Sequence, residues 1–399
     1  IWGTGQVGKA IIADLCNMPY EVVAYCSSNF EKYADKTVNG KRVVSPAELK
    51  EMCEKQRVDS ILIGVIHKCH LKEIQDRISW DFPTGIEVIT WQDEGFQEDL
   101  LDKTRKNFKG REHIWNVDFE KESEIWVNHF SEEIDYWLLS AANPEGLEHK
   151  NCQKRLKNTN FISSERIHPF LTNAMLLSNQ FDLTEGSVVM DLGCGLVSKY
   201  GNILPTQQRI NLLQVDALAP FYNKIVEKFF PGEKGNHSFG LFEFISGFFE
   251  KEFCDLILID NALDHCIDPY RSIVECLYVL KKGGRLHLFH RCSEALFEGY
   301  AGLHKWNIDS DVDSHLVIYN HVNFIDITEQ LKSVADINIR RVMGPRIEQA
   351  IAVEIRKRTD FALEDFLDIK LRQYYLACFI KNLMFRIADE EYRYNSYNF

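Results

Sequence analysis

The sequence predicts an α/β protein with two sheet-and-helix domains joined by a helical connector. Three observations predict it. Short apolar runs alternate with stretches of helical period over residues 1–92 and again over 181–358, the rhythm of strands that reach parallel neighbours through crossover helices. In both stretches a glycine turn follows the first apolar run. Between them, residues 93–180 are rich in charge and aromatics at helical spacing, as in Ile125, His129 and Phe130 or Ile134, Trp137 and Leu138.

In the first domain, Ile1 and Trp2 end a strand, Lys9 to Met18 is a helix, and Glu21 to Cys26, Ser60 to Ile66 and Glu87 to Trp91 are strands. The glycine turn comes so soon after Ile1 that the first strand reads as cut short at its start. In the second domain, strands are expected at Ser187 to Met190, Asn211 to Val215, Phe242 to Ile245, Asp255 to Ile259 and Arg285 to Phe289. A helix is expected at Tyr270 to Lys281, then a late pair of strands at Ile337 to Val342 and Ala350 to Ile355. Residues 359–399 form a C-terminal helical extension, where Leu371, Tyr375, Phe379, Leu383 and Ile387 recur at helical spacing beside Leu376, Ile380 and Met384. Packing on its own chain or on a second subunit is the favoured use of that stripe. Arg372, Lys381 and Arg386 also leave an interfacial helix open.

Composition narrows the partners. The 399 residues carry 46 Lys and Arg against 59 Asp and Glu, a net charge of −13, so no global basic surface exists to neutralise a phosphate backbone, and nucleic acid is excluded as a partner. The longest apolar runs, Ser60 to Ile66 and Cys254 to Ile259, fall far short of the roughly 20 residues of a spanning helix. The 11 cysteines include no CxxC pair, which fits a reducing cytoplasm and neither a disulfide framework nor a zinc knuckle. His67, Cys69 and His70 lack a second ligand pair at zinc spacing and read as structural, so no metal is expected.

The chemistry concentrates after the second domain's first two strands. Ser187 to Met190 runs into Asp191, Leu192, Gly193, Cys194 and Gly195, and glycines there let a ligand approach the backbone at the carboxyl end of a strand. Asp216 ends the next strand, 21 residues beyond Gly195, placed to accept hydrogen bonds from a ribose diol. This combination resembles the class I S-adenosylmethionine (SAM) dependent methyltransferases over about residues 160–355. Asp191 to Gly195 resembles the family's first motif, and Asp216 its ribose-binding acid. Phe253 to Leu258 is similar to its fourth strand, and Leu280 to Leu286 to its turn into the fifth. The resemblance implies SAM as cofactor, held by Asp191, Gly193, Cys194, Gly195, Asp216, Ala217, Phe248 and Asn261. Val197 replaces a third glycine found in many members. Phe248 stands where many have an acid, implying apolar contact with adenine.

For catalysis, His265 follows the fourth strand in Asn261-Ala262-Leu263-Asp264-His265, at the ligand rim. His304 lies in the polar and aromatic stretch Glu298 to Asn307, after the fifth. Either is a candidate base for a hydroxyl acceptor. Tyr300 and Trp306 are the candidate sugar-stacking groups. That stretch, with the Trp-containing helix from Glu124 to Trp137, resembles methyltransferases of bacterial surface-polysaccharide pathways. A packed insertion is the competing reading of it.

In the first domain, Gly3, Gly5 and Gly8 complete a GxGxxG able to place helix-terminal amides on a phosphate. The segment resembles the small Rossmann-like domain of sugar O-acetyltransferases, including Asn39 to Leu49, which implies a nucleotide-linked sugar. Ser27, Ser28 and Asn29 stand where nicotinamide cofactor binders carry a ribose acid. The expected activity is O-methylation of a sugar or glycan precursor, in the cytoplasm, with a homo-oligomer left open. A nicotinamide-dependent sugar oxidoreductase and a nucleotide-sensing scaffold are the alternatives.

Overall fold

The computed structural model describes residues 1–4, 21–33, 36–64, 68–90, 104–106, 108, 111–161, 182–300, 302–342 and 350–396. The chain divides into two units. The first comprises 1–112, 293–307 and 311–313, and the second takes up 113–292, 308–310 and 314–399.

The first unit contains β1 (Tyr25–Cys26), β2 (Thr37–Val38), β3 (Lys41–Val44), β4 (Ser60–Ile63) and β5 (Glu87–Thr90), with helices α1 (Pro46–Glu54) and α2 (Lys68–Asp81). Trp2 bridges β1 and β4 in parallel, so the order across the sheet is β3, β1, Trp2, β4, β5, every neighbour parallel. β2 turns back on β3 through Asn39 and Gly40, both at positive φ, a two-residue hairpin that the strand readings above do not contain. Of the expected second strand, 21–26, only Tyr25 and Cys26 form a strand. The helix expected over 9–18 and the strand ends at 65, 66 and 91 lie outside the described residues. A cavity of about 570 Å³ lies at the start of the strands, lined by Val22, Ala24, Asp59, Ser60 and Glu87. Part of this unit's core comes from far along the chain, because Leu296, Phe297 and Tyr300 pack with Leu62 and Ile89.

The second unit is built on a seven-stranded sheet. Its strands are β6 (Val188–Leu192), β7 (Asn211–Asp216), β8 (His237–Phe239), β9 (Cys254–Asp260), β10 (Leu280–Arg291), β14 (Ala335–Val342) and β15 (Ala350–Lys357). They lie in the order β14, β15, β10, β9, β6, β7, β8, and only β15 runs antiparallel to its neighbours. Between β10 and β14 a separate sheet forms from β11 (Asn307–Ser310), β12 (Leu316–Tyr319) and β13 (Phe324–Asp326). The central strands are buried on both faces, which is why Leu256 to Ile259 reads as a continuous apolar run.

Helices α3 (Phe119–Ala141), α4 (Leu147–Leu156), α5 (Ala219–Phe229), α6 (Pro269–Val279), α7 (Ile327–Leu331) and α8 (Arg372–Ser396) belong to this unit. α3 starts where Asp118 accepts the Lys121 N–H and buries Phe119, Val127, Phe130, Ile134 and Leu138 at helical spacing. Those residues share one core with Phe221 and Ile225 of α5 and Phe379 and Leu383 of α8. The helices read as a connector therefore pack into the sheet unit, and Tyr375, Leu376, Phe379, Ile380, Leu383 and Ile387 of the expected stripe pack on their own chain, whereas Leu371 and Met384 are exposed.

One expected strand is corrected. Phe242 to Ile245 is part of a 3-10 segment, Phe242–Gly247, and the third strand is His237–Phe239. A three-residue edge strand beginning with His and Ser carries no apolar run, whereas Phe244 and Ile245 are apolar because this segment lies buried beside α6.

Candidate cofactor site

β6 stands between β7 and β9, the point at which the strand order reverses and where open α/β sheets bind ligands beyond their carboxyl ends. Gly193 and Gly195 follow it at φ 72° and 63°, conformations that favour glycine. A Cβ on Gly193 would lie 2.7 Å from the Phe242 ring and 2.8 Å from Ala262 Cβ, so the turn is packed tightly from behind. The Gly193 N–H donates to Val215 O at 2.8 Å, holding the turn against β7.

Asp216, at the tip of β7, is 8% exposed. Its Oδ2 accepts the Gly195 N–H at 3.1 Å and its Oδ1 the Leu218 N–H at 2.8 Å. Each oxygen keeps a lone pair for a further donor. Burial pushes the Asp216 pKa up to about 6, against the pull of the two amides. Asp191 is buried at the end of β6, and burial raises it to about 7, with a bond from Ser198 opposing and the Asp260 charge adding to the rise. Two carboxylates that burial makes reluctant to ionise are matched to a cationic ligand. The glycine cradle and these two carboxylates fit SAM, whose ribose offers two hydroxyls and whose ammonium group and sulfonium are both cationic.

Several neighbours carry no sequence signal. His237 Nε2 lies 3.1 Å from Gly195 O, and burial lowers its pKa to about 4, so a neutral ring can donate to the turn. Trp137 of α3 covers Gly195, where an added Cβ would lie 3.1 Å from its ring, and its indole N–H donates to Glu133 at 2.7 Å. Three turns earlier on the same helix, the Trp126 N–H donates to His265 O at 2.9 Å. α3 thus runs along the carboxyl edge of the sheet from the turn after β9 to the turn after β6. Lys199 pairs with Asp260 at 2.6 Å.

The other predicted residues fall as follows. Ala217 is buried beside Asp216, and the Cys194 thiol is raised well above its ordinary pKa by burial. Asn261 sits at φ 52°, its side-chain carbonyl accepting the Arg291 N–H at 3.0 Å, which ties the ends of β9 and β10 together. Phe248 is half-buried, edge-on to Phe239 with 5.4 Å between ring centres. The His265 side chain is 25% exposed, with Nε2 3.8 Å from the buried Asp264, whose other oxygen meets His290 Nε2 at 2.9 Å. His304, Tyr300 and Trp306 belong to the other unit. There Trp306 is 3% exposed, and the Tyr300 hydroxyl accepts the Asn307 amide at 2.7 Å. Tyr300 is half-buried, packed against the cluster of Leu62, Ile89 and Leu296. Gly3 sits at φ 136°, a conformation that favours glycine, and its N–H donates to Cys26 O at 3.0 Å, while Gly5 and Gly8 lie outside the described residues. Ser28 accepts the Trp2 indole N–H at 3.2 Å.

Residues 190–288, from β6 through most of β10, match the family model of a methyltransferase domain. This segment is a methyltransferase domain. The chain is an enzyme, and the methyltransferase domain takes SAM as its cofactor. Among solved structures, the chain is similar to the YcgJ protein of Bacillus subtilis (12% identity, 46% of this chain and 97% of that one, TM-score 0.31). It is also similar to a SAM-dependent methyltransferase of Methanosarcina mazei (14%, 46% and 98%, 0.30). A third likeness is to the N-methyltransferase NodS of Bradyrhizobium japonicum, solved with S-adenosyl-L-homocysteine (13%, 53% and 98%, 0.32). No curated protein matches the chain. Among the described residues, no helix is long and apolar enough to cross a membrane.

Proposed function

We propose that the methyltransferase domain transfers the SAM methyl group to a hydroxyl of a sugar or glycan precursor in the cytoplasm. The observation that carries the cofactor half is Asp216, whose two oxygens are each fixed by one backbone amide beside the glycine turn. In this reading Asp216 accepts the ribose hydroxyls, Asp191 faces the amino group, and Phe248 flanks adenine. Bound SAM supplies a methyl group already activated by its sulfonium. What remains for the protein is to align the acceptor and to remove its proton. His265 suits proton removal, because it lies on the loop after β9, is partly exposed, and has a buried carboxylate behind it. His304 is the rival base. The first unit, with its parallel sheet and Ser27, Ser28 and Asn29 in place of a ribose acid, supports handling of a nucleotide-linked sugar rather than hydride transfer.

The test is a screen of nucleotide-linked sugars and glycan intermediates with methyl-labelled SAM, followed by single-turnover rates. Loss of a general base costs about 100- to 10,000-fold, so His265→Ala should fall by that factor while His304→Ala keeps the parent rate. The reverse result moves the base to His304. Transfer to nitrogen or carbon acceptors alone overturns the O-methylation reading.

A further inference from the structure

The C-terminal helix α8 is fastened to the cofactor domain by one buried ion pair. Arg372, in its first turn, reaches Glu275 of α6 with Nε to Oε1 at 2.8 Å and Nη2 to Oε2 at 3.2 Å. Glu275 is fully buried and the Arg372 side chain 16% exposed. The same Nη2 donates to Ser246 Oγ at 2.8 Å, and Glu275 Oε2 also accepts the Ser246 N–H at 3.0 Å. The guanidinium lies over the Phe244 ring, 5.7 Å from its centre. Ser246 is therefore held at both its backbone and its side chain, two residues before Phe248. Leu376 and Tyr375, one turn along α8, pack in the same apolar cluster as Phe248.

We propose that Arg372, through Glu275 and Ser246, is a positioning residue that sets the adenine wall of the cofactor site. The proposal rests on Phe248 flanking adenine. The 3-10 segment alone is a weak way to hold that wall: it is six residues long and Phe244 within it departs from helical dihedrals. A bidentate guanidinium fixes direction as well as distance, which a lysine ammonium does not. With the clamp intact, Phe248 is presented before the cofactor arrives. Without it, only a fraction of molecules hold the wall correctly, and apparent affinity falls by that fraction.

The test is a double-mutant cycle in the full chain, read as SAM dissociation constant by calorimetry and as unfolding midpoint. Arg372→Met should weaken SAM by roughly tenfold, as for a wall correctly placed in about a tenth of molecules. Arg372→Lys should fall between that and the parent. In a Phe248→Ala background, Arg372→Met should add almost nothing, because the two act through one surface. A lowered unfolding midpoint with unchanged SAM affinity, or full additivity with Phe248→Ala, overturns the proposal. Should Arg372→Met fail to fold, Ser246→Ala removes one contact of the clamp and must still weaken SAM. If the parent binds SAM and Phe248→Ala binds it equally well, the adenine reading of Phe248 has failed instead.

Discussion

Replacing Asp216 by Asn keeps the shape of the side chain and removes its charge. In the parent, the carboxylate has one lone pair per oxygen left for the ribose diol, after the Gly195 and Leu218 amides have taken the others. Hydrogen bonds to a charged acceptor contribute about 1.5–3 kcal/mol and neutral ones about 0.5–1.5, so each ribose bond should lose roughly 1–1.5 kcal/mol. Two such bonds give about 2–3 kcal/mol, or roughly 30- to 150-fold in affinity. The asparagine amide also turns an N–H donor toward one of the two backbone amides, and the orphaned amide should lower stability by about 1–3 kcal/mol. The assay is calorimetric titration with SAM on protein whose near-ultraviolet circular dichroism matches the parent, with urea unfolding alongside. A folded Asp216→Asn variant with parental SAM affinity would refute the assignment and move the ribose elsewhere.

Gly193→Ala should destabilise by roughly 2–5 kcal/mol, combining about 1–2 for a left-handed alanine with about 1–3 for crowding against Phe242 and Ala262, seen as a lowered urea midpoint. A parental midpoint would mean the turn relaxes more easily than its packing implies. Asp191 and Asp216, raised to about 7 and about 6 from 3.8, contribute stability that is fully present below pH 3.8 and lost as pH rises through those values. A cationic cofactor favours their ionised forms, so SAM affinity should rise between about pH 5.5 and 8 and binding at pH 6 should release protons. Calorimetry in buffers of different ionisation enthalpy checks this, and affinity independent of pH would contradict it.

The parts of the cofactor site legible in sequence were those where backbone geometry restricts residue type. Gly193 and Gly195 need positive φ, Asp216 must end a strand, and β6, β9 and β10 must be apolar on both faces. What stayed hidden depends on tertiary packing. His237 looks like any polar residue at the start of an edge strand until its ring meets Gly195 O. Trp137 fits the helical period of α3 equally well as core or as a cover for the glycine turn. The run from Phe242 to Ile245 shows why a short apolar stretch is ambiguous: burial makes a 3-10 segment as apolar as a strand. Tyr300 and Trp306 illustrate the converse. Their aromatic surface suits a sugar and a core alike, so residue type does not separate the two uses.

The division of the chain has a consequence for how the protein is made. The first unit borrows Leu296, Phe297 and Tyr300 to pack against Leu62 and Ile89, yet residues 113–292 emerge from the ribosome before they do. At about 5–20 residues per second, the early segment waits roughly 10–40 s with that apolar surface unmatched. No single cut releases either unit whole, so a fragment ending near residue 112 would carry a permanent version of that unfinished state.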